Sequence, residues 1–532
     1  MFNFIKNTIS KLFKSNNSSD ATNDNNNIKS IEFNKDFNKN IELIKFCLGK
    51  SDDLIFRYFN ISTQPYTKAV VIYIESMVDD KSLQSSVLDP LINELAQRTT
   101  EDRIYLKSKI HTLIEQSLSI SKLSFKKNLS EAINELVIGN SLLLIDKVPY
   151  VVSVNTLKAD NKESTEPQTE KVVKGPQQGF VESINTNCLM LRRRIKSPNL
   201  IFKNFKVGRQ TQTDIRIVYL CNIADLNIVD ELCDRINRID VDGFVSSASI
   251  EEYINDNPIN LFHTTFYSER PDRVQSLLLE GRIAIICDGT PFVIIVPAII
   301  SDFFISMDDY YQNQYFASFC RLLGYFGAIL LTFLPSIYVA ITTFHQEVLP
   351  TQLALTIAAA RGGVPYPAFI EAVIMEVAFE ALRQAGTRLP THIGQAVSIV
   401  GALIIGQAAV EAGLVSSIVV IIVAMTAIFS FTIPYTNFVL SLRLARFFML
   451  VLAGILGIYG IMTGLLILAL NLISLRSFGV PFMVPFAPLS LKELKDWFLR
   501  MPLWSITERS GHIVKKNIVK KDKNIKPTPP SK

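Results

Sequence analysis

Two stretches of this chain occur twice, in the same order. Val71 to Asp79 reads VIYIESMVD, and Ile217 to Asp225 reads IVYLCNIAD, which places Tyr73 and Tyr219, and Asp79 and Asp225, 146 residues apart. Further on, Glu131 to Val154 (EAINELVIGNSLLLIDKVPYVVSV) is matched by Glu269 to Pro297 (ERPDRVQSLLLEGRIAIICDGTPFVIIVP). Here the equivalent pairs Gly139/Gly281, Asp146/Asp288 and Pro149/Pro291 are 142 apart. Each copy reads as an apolar-periodic helix stopped by a glycine, a short apolar strand, an Asp at a turn, and a Pro-aromatic pair opening a second strand. Two matches at nearly one spacing argue for an internal duplication. Both copies mix strands with helices, so each is an α/β lobe.

The duplication decides a question that hydropathy leaves open. Ile283 to Phe304 is long enough to pass for a membrane helix. Its counterpart, Ser141 to Val154, is too short to span. Ile283–Val296 therefore reads as a buried β-hairpin with Asp288 and Pro291 in its turn, where Asp caps and Pro presets φ. A first membrane helix interrupted by an Asp and two prolines is the weaker reading. Strands are expected at Ala69–Ile74 and Ile215–Leu220, and a helix at Ile228–Ile239.

Charge is strongly partitioned. Residues 1–282 hold 36 basic and 36 acidic side chains, residues 283–473 hold 6 and 9, and residues 474–532 hold 12 and 4. A neutral globular half is followed by a membrane half and a basic tail. No extended basic stripe points to nucleic acid as a partner. Arg192, Arg193 and Arg194 form a compact run that reads as a salt-bridged or solvated helix face. The six cysteines lack paired spacing and read as reduced thiols, and five scattered histidines give no metal cluster. No nucleophile elbow, phosphate loop or zinc-protease helix is present, so no catalytic residue, cofactor or metal is assigned and the chain is not read as an enzyme.

Residues 1–40 form an Asn-rich leader, too poor in large apolar groups to order itself, with an amphipathic start from Phe2 to Phe13. Lobe 1 covers 41–155, a charged linker 156–176, and lobe 2 177–297. A membrane domain (298–475) and a basic cytoplasmic tail (476–532) follow. Whether the lobes enclose a ligand cleft or serve as an assembly scaffold stays open, with the scaffold ahead.

By span length, Phe319–Phe344, Ile393–Gly413, Leu414–Tyr435 and Arg446–Leu475 are four transmembrane helices. Gly454, Gly457, Gly460 and Gly464 in the last would allow close helix approach. Four spans put both termini on one side, and the basic tail makes that side the cytoplasm. Arg443 and Arg446 then fall in an external loop, an unfavourable placement.

Between the first two spans, a turn containing Gly362 and Gly363 leads into an apolar helix from about Ala368, amphipathic or re-entrant. At 100° per residue, Glu376, Glu380 and Arg383 lie at about 140°, 180° and 120° from Glu371, in one stripe. Charges at membrane depth are costly unless they face water, a partner or each other. Either the stripe is interfacial and internally paired, or it lines a water-filled path whose acidic excess favours cations. Glu371 and Glu411 are secondary candidates, Glu411 in the helical turn.

A series of short motifs carries a resemblance: KVVKGP (171–176), GFVE (179–182), RRR (192–194), GRQTQT (208–213), ERPD (269–272), LLEGR (278–282), the Asp288-Gly289 to Pro291 turn and DDYY (308–311). In this order, from about Ile41 to the tail, the chain resembles the A subunit of bacterial spore germinant receptors, the GerA family. Glu269, Arg270, Pro271, Asp272, Gly281, Asp288 and Pro291 are structural positions of the shared motifs. The resemblance implies a multi-pass protein of the spore inner membrane acting with a transporter-like B subunit and a lipoprotein C subunit. It implies germinant-triggered ion release, with the A subunit forming a homo-oligomeric cation channel. The expected architecture is a duplicated α/β cytoplasmic domain followed by an all-α polytopic membrane domain. A small-solute secondary transporter, or a non-conducting scaffold that clusters receptor subunits, are the alternatives.

Overall fold

The computed structural model describes residues 31–61, 67–94, 123–158, 165–244, 246–390, 401, 406–490 and 493–521. The first 30 residues of the expected leader and most of the expected span Ile393–Gly413 lie outside them, whereas the leader's last ten residues are ordered, with Phe33 and Phe37 buried in the core of lobe 1.

The duplication is present strand for strand. Lobe 1 contains helix α1 (Phe37–Leu48), strands β1 (Leu54–Ile61), β2 (Thr67–Ile74) and β3 (Leu123–Lys126), helix α2 (Leu129–Ile138), and strands β4 (Ser141–Ile145) and β5 (Val151–Val154). Lobe 2 contains α3 (Ile184–Arg194), β6 (Leu200–Val207), β7 (Thr213–Leu220), α4 (Leu226–Asn237), α5 (Ser247–Ile254), β8 (Phe266–Ser268), α6 (Pro271–Leu279), β9 (Ile283–Cys287) and β10 (Val293–Val296). The two sheets have the same order, β1-β2-β4-β5-β3 and β6-β7-β9-β10-β8. Their registers superpose as well. Leu54 opposes Ile74 where Leu200 opposes Leu220, and Ala69 opposes Ile145 where Ile215 opposes Cys287. Those pairs reproduce the offsets of 146 and 142 read from the sequence.

The hairpin reading of Ile283–Val296 holds. Asp288 sits in its turn, but its carboxylate accepts from Ile184 N (3.0 Å), so it caps α3. Asp79 and Asp225 likewise cap the helical segments that follow β2 and β7. Gly139 and Gly281 end their helices with φ of 108° and 89°, a backbone that suits glycine. The inner strands are buried on both faces, and alternation of side chains across a strand sends neighbours to opposite sides. Val70 and Ile72 pack with Ile41, Ile44 and Leu136 of the helices, while Val71 and Tyr73 face Val87, Leu88 and Leu91. Burying each such aliphatic side chain contributes about 1.5–3 kcal/mol.

The chain divides into two compact units. The first takes residues up to Thr169, Gln178–Ile250 and Ser268–Ile294, which hold lobe 1 and most of lobe 2, while Glu251–Tyr267 and the end of β10 fall in the second. Within it, Arg192 fastens lobe 2 to lobe 1. Its guanidinium meets Asp53 through Nε (3.0 Å) and Nη2 (2.9 Å), and Ser51 Oγ receives another bond from Nη2 (3.0 Å). Arg192 and Asp53 are 2% and 0% exposed. Phe202 N donates to Ser51 Oγ, Asp52 N donates to Phe202 O, and Arg216 pairs with Glu75 at 3.3 Å. Of the two readings of the arginine run, Arg192 takes the salt-bridged one.

The second unit takes Glu170–Gln177, Glu251–Tyr267 and the chain from Ile295 onward. Its helices are α7 (Gln314–Phe344), α8 (Thr351–Arg361), α9 (Ala368–Arg388), α10 (Ser417–Ser430), α11 (Thr436–Leu456) and α12 (Ile458–Ser474). Of the described helices, α7 and α11 are long and apolar enough to cross a membrane; α10 and α12 are apolar but shorter.

Two expectations are corrected here. The span read as Arg446–Leu475 is broken at Gly457, where φ is 62°. A Cβ at Gly460 or Gly464 would collide with Leu452 or Met449, so α12 folds back along α11 as a tight helical hairpin. Gly457, Gly460 and Gly464 serve this turn and its close approach, while Gly454 makes room for the ring of Phe369 on α9. Arg443 and Arg446 therefore lie inside α11, not in a loop. The expected span Leu414–Tyr435 is helical only over Ser417–Ser430.

Candidate functional site

Helix α9 begins after Pro367, whose fixed φ and missing N–H suit a helix start. Its apolar residues Ala368, Ala372 and Met375 pack against Val415, Val419 and Val423. That packing buries Glu371 and Glu376 and leaves Glu380 partly exposed, and each of the three meets an arginine.

Glu376 is 1% exposed and pairs with Arg446 at 2.6 Å. Arg446 also donates to Thr426 Oγ1 (3.2 Å). One turn on, Glu380 pairs with Arg383 on its own helix and lies 3.8 Å from Arg443. Arg443 donates to Ser430 Oγ (3.0 Å). The stripe Glu376, Glu380 and Arg383 lies together on α9, and α11 adds two arginines that sequence reasoning had assigned elsewhere. The signal that would have found them is their own i, i+3 spacing in an apolar run. Two carboxylates face three guanidiniums, so the cluster as it stands carries no acidic excess.

Glu371 forms a separate centre, in line with its angular distance from the stripe. It is fully buried, accepts from Arg361 Nε (3.2 Å), and accepts from Ser416 N (2.9 Å) at the start of α10. A single carboxylate thereby ties α8, α9 and α10 together. Gly362 and Gly363 follow α8 directly, and neither has a positive φ. A Cβ at Gly413 would lie 3.2 Å from Gly363 O, so the two glycine turns abut. Glu411 is exposed and accepts a local bond from Gln407 at 3.0 Å.

The ERPD motif is a structural joint in the first unit. Arg270 bridges Asp272 in bidentate fashion (3.1 and 2.7 Å), and Pro271 opens α6. Glu269 accepts from Gln168 N (2.7 Å) and Thr169 N (3.2 Å), holding this part of the expected linker in place. Pro291 follows Gly289 in the hairpin turn, where Gly289 has a φ of 80° and its lobe 1 counterpart Lys147 one of 67°.

Two polar clusters in the second unit were not foreseen. Glu251 is bonded by His263 (3.1 Å), Thr265 and Tyr267. Burial opposes its charge, yet these three hydrogen bonds prevail and hold the carboxyl below its ordinary range. The same carboxylate, against some burial, raises His263. Near the start of α7, Arg321 bonds Asp309 Oδ2 (3.0 Å) and Asp496 (O, 2.6 Å). Tyr325 stacks on Trp497 at 4.7 Å. Among the described residues, no group of three or more His, Cys, Asp or Glu side chains is placed to hold a metal ion.

The family model described as "Bacillus/Clostridium GerA spore germination protein" matches residues 42–512. The chain belongs to the GerA family. Spore germination protein KA of Bacillus subtilis (strain 168) is 42% identical over 491 residues, covering 92% of this chain and 89% of that protein. Spore germination protein GerLA of Bacillus cereus is 33% identical, with coverages of 88% and 94%. The uncharacterized membrane protein YfkQ of Bacillus subtilis (strain 168) is 38% identical, with coverages of 91% and 94%. Among solved structures, the N-terminal domain of the A subunit of the Bacillus megaterium spore germinant receptor GerK3 is 32% identical. It covers 51% of this chain and 98% of that one, with a TM-score of 0.39.

Proposed function

We propose that this GerA-family chain is the A subunit of a nutrient germinant receptor in the spore inner membrane, coupling germinant sensing to cation release. The observation that carries this reading is the Glu376–Arg446 ion pair buried between α9 and α11, with the partly exposed Glu380, Arg383 and Arg443 beside it. Buried ion pairs in apolar helices are costly and serve most often as switches or ion paths. In the present arrangement Arg446, Arg443 and Arg383 neutralise Glu376 and Glu380, which describes a closed state.

Opening parts α9 from α11 and turns the two carboxylates toward a water-filled path, where they favour cations. The Gly362-Gly363 turn lets α9 move relative to α8. Germinant binding must favour the open state by its difference in affinity for the two states. The chain works with a transporter-like B subunit and a lipoprotein C subunit, and homo-oligomers assemble the path. Both termini face the cytoplasm. A scaffold role is the second reading, favoured by the firm union of the two lobes through Arg192 and Asp53.

The test is potassium release from spores whose only receptor carries Glu376→Gln and Glu380→Gln, with receptor abundance measured in parallel. Altered release at normal abundance supports the reading. Unchanged release removes the stripe from the ion path and leaves the scaffold role.

A further inference from the structure

The tail after α12 contains a surface that the receptor reading does not use. Leu499, Met501, Leu503 and Trp504 are exposed by 46%, 36%, 49% and 38%, four large apolar side chains within six residues. This stretch is fixed to the first turns of α7. Arg500 N donates to Ser318 Oγ (3.0 Å), and the preceding residues Asp496 and Trp497 hold Arg321 and Tyr325. On those same turns of α7, Phe316, Phe319 and Phe326 are also exposed, by 56%, 62% and 54%.

Depth follows from length. Helix α7 has 31 residues, about 46 Å at 1.5 Å per residue, against a hydrocarbon core of about 30 Å. Its first turns therefore reach the headgroup layer, and the tail stretch lies beside them. Charge agrees. Residues 474–532 hold 12 basic and 4 acidic side chains, and Lys521 Nζ donates to Leu503 O (2.6 Å), placing a cation against the apolar stretch. Exposed Leu and Trp beside lysines are the composition of a segment lying in the membrane interface.

We propose that the tail stretch Leu499–Trp504 lies in the headgroup layer and that the lysines at 515–521 bind anionic lipid there. The proposal rests on α7 spanning the membrane. Its occupant is a lipid surface continuous with the one around Phe316 and Phe319, and the basic excess selects anionic headgroups.

The chain has two tryptophans, Trp497 and Trp504, which makes a direct test possible. The full-length protein is reconstituted in vesicles of brominated phosphatidylglycerol or brominated phosphatidylcholine. Emission is compared for the wild type and Trp504→Phe, and for Ile329→Trp, at the midpoint of α7 and 57% exposed, in the Trp504→Phe background as a reference inside the bilayer. The expected result is a quenched component, missing in Trp504→Phe, that is about twofold stronger in phosphatidylglycerol. Replacing Lys515, Lys516, Lys520 and Lys521 with Gln should abolish that preference while the reference stays quenched. If the reference is quenched and Trp504 is not, the tail placement is overturned, and an acidic protein partner becomes the occupant to seek. Equal quenching in both lipids overturns the anionic binding. If neither position is quenched, the spanning assignment of α7 fails first, and the proposal with it.

Discussion

Removing one partner of the Arg192–Asp53 pair should open the two lobes without unfolding either. In Arg192→Leu the Asp53 carboxylate, 0% exposed, keeps Ser51 Oγ (2.5 Å) but loses its counter-ion. A buried charge stranded in this way costs about 3–5 kcal/mol. At about 1.4 kcal/mol per tenfold, the lobe-opening equilibrium shifts by roughly 10² to 4 × 10³. Cys188 reports the event, since it lies one turn before Arg192 on α3 and is fully buried. Burial pushes its thiol up to about 12, so it is unreactive while the lobes are closed. Maleimide labelling of Cys188, followed by peptide mass spectrometry on the full-length protein, should accelerate by that factor in Arg192→Leu and in Asp53→Leu. The double variant removes both charges and should return to within about tenfold of wild type. Single variants within tenfold of wild type, or a double variant as fast as the singles, would refute the reasoning.

Exchanging the membrane pair, Glu376→Arg with Arg446→Glu, should restore closure that Glu376→Gln alone weakens by about 3–5 kcal/mol. Potassium leak from unstimulated spores reads this, and a leak in the exchanged variant equal to that of Glu376→Gln would count against pairing as the closing contact. Gly363 has open space where a Cβ would go and no positive φ. Gly363→Ala should therefore leave abundance unchanged but slow potassium release if the turn moves, and a normal rate would dismiss the hinge. The Glu251–His263 contact stabilises fully only between about pH 4.5 and pH 6.5, the ordinary values of its two groups. Above that window His263 deprotonates as pH passes its raised value. Below it Glu251 protonates as pH passes its lowered value. Thermal unfolding against pH should lose its alkaline slope in His263→Gln; an identical slope would contradict the pairing.

The lobes were legible because a duplication prints strand register directly into residue spacing. Tyr73 and Tyr219 face equivalent neighbours because their strands pair identically, and Gly139 and Gly281 are fixed by the same left-handed helix end. The membrane half was less legible because hydropathy reads composition, not direction. Gly457 carries no charge, so a window average runs through the turn and joins α11 to α12. Arg443 and Arg446 look like loop residues to the same average, and only their carboxylate partners on α9, some 65 residues upstream in sequence, explain their place within a helix. Helical angles alone grouped Glu376, Glu380 and Arg383 and set Glu371 apart. They could not name the partners from other helices that decide what those charges do.

The Arg192 contact joins two copies of one fold through different faces. Stepping back by 146 residues, Arg192 corresponds to Phe46, Arg216 to Val70, and stepping forward, Asp53 corresponds to Asn199 and Glu75 to Cys221. A head-to-tail joint between identical modules leaves the same complementary faces at both ends and grows without limit. Here each charge occurs in one copy only. The joint therefore forms once, between these two modules, and neither module offers the same contact to a further copy.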